Sequence, residues 1–139
     1  MKTRIMSIDY GDVRTGIAIS DLLGITAQGL ESIEHGNNEK KLLNRIAEII
    51  TEYEIGKIVI GYPINMNSSK GPRAEKTDKF ITKLENRFKL EVVRIDERLT
   101  TVSAHRTMQE LAIGKDKKKK IVDTISAEYI LQMYLDKNN

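Results

Sequence analysis

A mixed α/β fold, with three antiparallel N-terminal strands followed by parallel ones in a central sheet and helices packed on it, is predicted by three observations. Short apolar runs broken by glycine- and asparagine-bearing turns fill the first third of the chain. The period of apolar residues then changes to three and four, and from there helix-like and strand-like segments take turns.

Residues 4–9, "RIMSID", read as the first strand. Gly11-Asp12-Val13-Arg14 connects it to a second over residues 15–20, so the two form a hairpin. A third strand around residues 25–33 is bordered by Gly24 and by "HGNN". Leu42, Ile46, Ile49, Ile50 and Tyr53 then make one apolar stripe on a helix over residues 39–54. Residues 57–62, "KIVIGY", are nearly all apolar, as expected of a strand covered on both faces. A polar loop over residues 63–71 leads to Pro72, which opens a helix striped by Phe80, Ile81, Leu84 and Phe88. A last strand is expected over residues 91–96, then helices over residues 101–113 and 121–136, separated by "GKDKKKK".

The 139 residues suit a single domain over residues 1–139, with enough chain to bury a substantial core. A hydrophobic fraction of 40% and a charged fraction of 31% fit a globular chain rather than wholesale disorder. With no cysteine, disulfides and thiolate metal sites are excluded. The few apolar residues before Asp9 are too short for a signal peptide, and no run approaches the ~18 residues of a membrane span. A cytoplasmic protein with no membrane partner is expected. The net charge of +3 leans toward an anionic partner.

Carboxylates mark the strand ends. Asp9 closes the first strand, Asp96 and Glu97 close the last, and Asp123 falls on the first turn expected for the final helix. In open α/β sheets chemistry collects beyond the carboxyl ends of the strands, so Asp9 and Glu97 converge if their strands are parallel neighbours. Three gathered carboxylates repel one another unless a cation compensates. An all-oxygen donor set favours Mg²⁺ or Mn²⁺, and paired ions of this kind serve in-line phosphoryl displacement. Each acid also has a plainer reading: Asp9 as a turn residue, Asp96-Glu97 as a helix cap, Asp123 as a dipole partner. Periodicity leaves open whether Asp96 or Glu97 shares a face with Asp9. Gly11 and Gly16 read as hairpin residues of unusual φ, or as space for a substrate backbone. His35 and His105 read as surface residues.

The segments "IDYGDVRTGIAISD", "GYPINMNSSKGPRAE", "DERLTT" and "KKKKIVDTISAEYILQMYL" span nearly the whole chain. Together they resemble the YqgF family of ribonuclease H-like proteins, described both as nucleases for the 5′ end of pre-16S ribosomal RNA and as Holliday-junction-resolvase-like proteins. The resemblance implies a ribonuclease H-like fold and a role in ribosome biogenesis, with Asp9, Glu97 and Asp123 as catalytic, metal-binding acids. In the two-metal arrangement it suggests, Asp9 bridges both ions while Glu97 and Asp123 hold one each. Two positions depart from the pattern: Ser68, where glycine is frequent, and Ser126, where the related junction resolvases carry a fourth acid.

A polyanion substrate fits the remaining charges. Arg14 lies in the hairpin beside Asp9. Asn65, Lys70 and Arg73 lie in and beside the polar loop, Arg98 follows Glu97, and Lys117, Lys118, Lys119 and Lys120 precede Asp123. These residue types make most phosphate contacts. Expected partners are pre-rRNA first and branched DNA second, bound by a monomer or weak homodimer. A junction-resolving DNA endonuclease and a nucleic-acid-binding module that never cleaves are the alternative readings.

Overall fold

The computed structural model describes residues 3–63, 71–97 and 115–138. Its elements in chain order are β1 (Arg4–Asp9), β2 (Arg14–Ser20), β3 (Ala27–Glu34), α1 (Glu39–Tyr53), β4 (Ile55–Tyr62), α2 (Pro72–Phe88), β5 (Val92–Asp96) and α3 (Lys115–Lys137). The helix expected over residues 101–113, with His105, lies outside the described residues.

The five strands form one sheet in the order β3-β2-β1-β4-β5. β1 pairs antiparallel with β2 and β2 with β3, whereas β1 and β4, and β4 and β5, run parallel. The mixed sheet expected from the sequence is therefore present. A hairpin can join antiparallel neighbours, but each parallel pair needs a crossover, and α2 supplies the one between β4 and β5.

Alternation along the strands sorts residues onto two faces. Met6, Ile8, Ile17, Ile19, Ile58 and Ile60 face α1 and α2, where they meet Leu42, Ile46 and Ile49 of the first helix and Phe80, Ile81 and Leu84 of the second. The opposite face is covered by α3, through Ala18, Ala127, Leu131 and Leu135 and through Val59 with Ile130. α1 starts at Asn38, whose side chain accepts from the Lys41 amide at 3.0 Å.

α3 also reaches the sheet's β3 edge. The amides of Ala27 and Gly29 in β3 donate to side-chain oxygens of Gln132 (2.9 Å) and Glu128 (2.8 Å).

One expected boundary is corrected. Residues 115–120, read as a lysine-rich connection, are the first turns of α3, so Asp123 lies in the helix's third turn rather than its first. Lysine is a good helix former, and neither Gly nor Pro interrupts residues 115–137. Among the described residues no helix is long and apolar enough to cross a membrane.

Candidate active site

On β1, Ile5, Ser7 and Asp9 alternate onto the α3 face, and Ser7 anchors it by donating its hydroxyl to the Ala127 carbonyl at 2.6 Å. Asp9, at the strand's carboxyl end, is buried, and its antiparallel partner on β2 is Gly16. A Cβ on Gly16 would stand 2.1 Å from the carbonyl oxygen of Asp123 and 2.5 Å from its carbonyl carbon. The missing side chain is what lets the backbone of α3 settle on β2 there, beside the strand that carries Asp9. Gly16 is thus a close-approach residue inside a strand, not a hairpin residue, and its φ is not positive. Gly11 has no positive φ either; a Cβ there would collide with the Arg14 carbonyl oxygen.

The third acid arrives from β5. Val93 and Ile95 pack with Val59, Ile130 and Ile5, so their side of the strand faces α3. Val92 belongs to the opposite core. Glu97 follows the first set and lies over Gly61 of β4, with Oε1 2.5 Å from where a Cβ of that glycine would stand. Between Asp96 and Glu97, the glutamate is the one on Asp9's face. Gly61 was legible only as a glycine inside an apolar strand, a general sign of close approach.

Asp9, Glu97 and Asp123 line a single cavity of about 380 Å³, with Tyr10, Asp12, Arg14, Gly61, Arg73 and Thr77 among its other walls. Burial pushes the Glu97 carboxyl above its ordinary range, and the negative Asp96 adds to this while Arg73 opposes it. Asp123 is buried, and its Oδ2 accepts from Arg14 Nε at 3.0 Å and from Ser32 Oγ at 2.8 Å. These two donors draw the Asp123 carboxylate to themselves. The three acids share a wall, but among the described residues no three acidic or histidine side chains converge at ion-binding distance. Arg14, expected beside Asp9 as a phosphate contact, lines the same cavity and is paired with Asp123. Nothing in the sequence marked Ser32, a lone serine on an edge strand.

Arg73, on the first turn of α2, donates to the Tyr10 carbonyl and, through Nη1, to Asp12 Oδ1 at 2.6 Å; Lys76 donates to the same Asp12 oxygen. Lys76 foremost, and Arg73 with it, hold the Asp12 carboxyl below its ordinary range. Tyr10 stacks on Phe80 with ring centroids 4.1 Å apart and planes 2° from parallel. Burial, then Glu39, push the Tyr10 hydroxyl up to about 12.

His35 is buried rather than at the surface. Its Nε2 lies 2.9 Å from Thr15 Oγ1 and its Nδ1 2.7 Å from the Gly36 carbonyl, which ties the end of β3 to the start of β2. Asn65, Ser68, Lys70 and Arg98 lie outside the described residues, as do the side chains of Lys117, Lys118, Lys119 and Lys120. A larger cavity of about 650 Å³ lies between β3 and α1, but Glu31, Glu34 and Glu48 there are offset by Lys40, Lys41 and Arg45. It holds none of the three strand-end and helix acids.

A mixed sheet in the order β3-β2-β1-β4-β5, crossed by a helix that presents an aspartate beside the end of β1, defines the ribonuclease H-like class. Thermus thermophilus RuvC, solved in complex with a Holliday junction substrate, superposes with a TM-score of 0.58 at 10% identity, covering 98% of this chain and 95% of that one. The fowlpox virus Holliday junction resolvase gives 0.54 at 16% identity, covering 97% and 99%. At such identities the likeness is one of fold. The chain belongs to the RuvX family, whose model, described as "Holliday junction resolvase", matches residues 3–137. A protein of Ruminiclostridium cellulolyticum is 59% identical over 134 residues, 96% of this chain and 94% of its own length. One of Listeria monocytogenes is 47% identical over 137 residues, 98% and 99% of the two chains. Both carry the name "Putative pre-16S rRNA nuclease".

Proposed function

We propose that this chain is a metal-dependent nuclease that trims the 5′ end of pre-16S ribosomal RNA in the cytoplasm, working as one domain. The observation that carries the reading is the meeting of Asp9, Glu97 and Asp123, from two strands and a helix, in the wall of one cavity. The names of the relatives that match nearly the full chain support the substrate.

The donor set fits a hard divalent ion. It offers carboxylate oxygens only, and burial already raises the cost of leaving Glu97 charged without a cation nearby. Asp9, Glu97 and Asp123 would hold Mg²⁺ or Mn²⁺. Such ions, bound singly or as a pair, supply Lewis-acid polarisation of the phosphoryl group and activation of water. Glycines 16 and 61 bring Asp123 and Glu97 toward Asp9, and the rigid strand end fixes the aspartate. Arg14 and Ser32 hold the Asp123 carboxylate in place, and Arg14, which lines the same cavity, would also face a substrate phosphate there. Arg73, with Asn65, Lys70, Arg98 and Lys117 to Lys120, binds the strand through its phosphates, so affinity falls as salt rises.

Junction cleavage is the second reading, favoured by the description of the family model. Incubation with Mg²⁺ or Mn²⁺ and a panel of pre-rRNA 5′ extension, unrelated single-stranded RNA and four-way DNA junction tests both. Cleavage confined to the pre-rRNA is expected. Cutting of the junction alone overturns the ribosomal assignment, and binding without cutting of any member overturns the enzyme.

A further inference from the structure

We propose that Asp12 is a built-in competitor for nucleic-acid phosphate, its carboxylate occupying Arg73 and Lys76 at the lip of the acidic cavity until a phosphodiester of the substrate strand replaces it. The inference rests on the nuclease reading above and adds to it a specific phosphate seat.

Three features support it. First, the two cations are held by something other than Asp12. Arg73 and Lys76 are one helical turn apart on α2, and their charges lie 5.3 and 5.8 Å from the centre of the Tyr10 ring, itself fixed by its stack on Phe80. Arg73 also donates to the Tyr10 carbonyl, which keeps its guanidinium oriented if Asp12 leaves. Second, the exchange is charge-neutral: a phosphodiester, like a carboxylate, carries one negative charge and presents two terminal oxygens to the same donors. Third, Asp12 is free to give way. Its side chain is 66% exposed, on the turn between β1 and β2, and it lines the cavity's rim beside Arg73.

A structural ion pair and a competitor respond oppositely to loss of the acid. Exposed pairs contribute modestly, so removing the competing carboxylate should tighten binding about two- to fivefold. The test uses a short fluorescein-labelled single-stranded RNA, Ca²⁺ in place of Mg²⁺, and fluorescence anisotropy across a salt series. Asp12→Asn is expected to bind more tightly at low salt, with the slope of log affinity against log salt steeper by about 0.7 to 0.9. Lys76→Gln should bind more weakly with a flatter slope, and Asp12→Asn with Lys76→Gln should lose much of the gain. Asp12→Ser, run beside Asp12→Asn with melting curves for both, guards against a folding defect in either. Unchanged or weaker binding by both folded Asp12 variants overturns the inference alone. Wild-type protein that ignores the RNA at every salt concentration overturns the nuclease reading and this inference with it.

Discussion

The two faces of the sheet are built to opposite rules. Under α1 and α2 the strands present isoleucine and methionine to a phenylalanine and leucines, and the layer is thick. Under α3 the aliphatic contacts of Ile5, Val59, Val93 and Ile95 are interrupted by Gly16, Gly29, Gly61, Ser7 and Ala18, and at the three glycines a Cβ would collide with an atom of α3 or with Glu97. Large side chains maximise the apolar area removed from water, whereas small ones sacrifice area for proximity. Proximity is what three like-charged groups on separate elements require if they are to act on one phosphate. Both sides bury apolar residues, but only the α3 side also brings a helix backbone against a strand, at Gly16.

Substitutions on the two sides should therefore fail differently. The largest effect is expected from Phe80→Ala on the thick face: it removes a fully buried aromatic ring and the stacking partner of Tyr10, at a cost of about 3–5 kcal/mol in chemical denaturation. Its surviving folded fraction should keep most of its activity per molecule. Next comes Asp9→Asn on the thin face, where cleavage should fall by more than about 100-fold, a loss larger than that usual for an outer-shell partner. The metal-free variant should stay folded, because an amide replaces the buried carboxylate at nearly constant shape. Wild-type cleavage rates in that variant would remove the acids from the mechanism.

Gly16→Ala sharpens the contrast, since it adds one methyl where backbone already sits. Overpacking of this kind costs about 1–3 kcal/mol, and here it must also lift Asp123 away from β2. Activity at a temperature where the variant is fully folded should drop, and an unchanged rate would show that the helix approach does not position the acid.

The smallest effect is in the pH dependence of Glu97. Its carboxyl titrates above the ordinary value of 4.5 when folded, so the folded state favours the protonated form. That contribution to stability is complete below the unfolded pKa and disappears as pH rises through the folded one. In chelator, Glu97→Gln should therefore gain on wild type in melting temperature as pH climbs from about 4.5, then hold a constant lead. Parallel curves at all pH values would contradict the burial of this carboxylate.

Local signals carried most of the fold. β1 ends at Asp9 as its alternation predicts, and the stripe of Leu42, Ile46 and Ile49 is the buried face of α1. The site was legible as a set of acids but not as a geometry. Choosing Glu97 over Asp96 requires knowing which face α3 covers, a fact that lies in residues far along the chain. Gly16 looked like a turn glycine because its reason for being small is the backbone at Asp123. The start of α3 was misplaced because a lysine run satisfies both a solvated connection and a helix. The pairing of Arg14 and Ser32 with Asp123 has no local signature, as it joins a hairpin and an edge strand to a distant helix.

The contacts from α3 to β3 have a consequence for how the molecule behaves in a crowded solution. An edge strand displays unpaired amides that invite a strand from another chain, the usual first step toward aggregates. Here Gln132 and Glu128 already take the outward amides of Ala27 and Gly29, and Gln132 also donates to the Ile25 carbonyl. A passing strand would have to evict a helix's side chains and meet the negative charge of Glu128. The helix that brings Asp123 to the cavity thus also guards the β3 edge against an added strand.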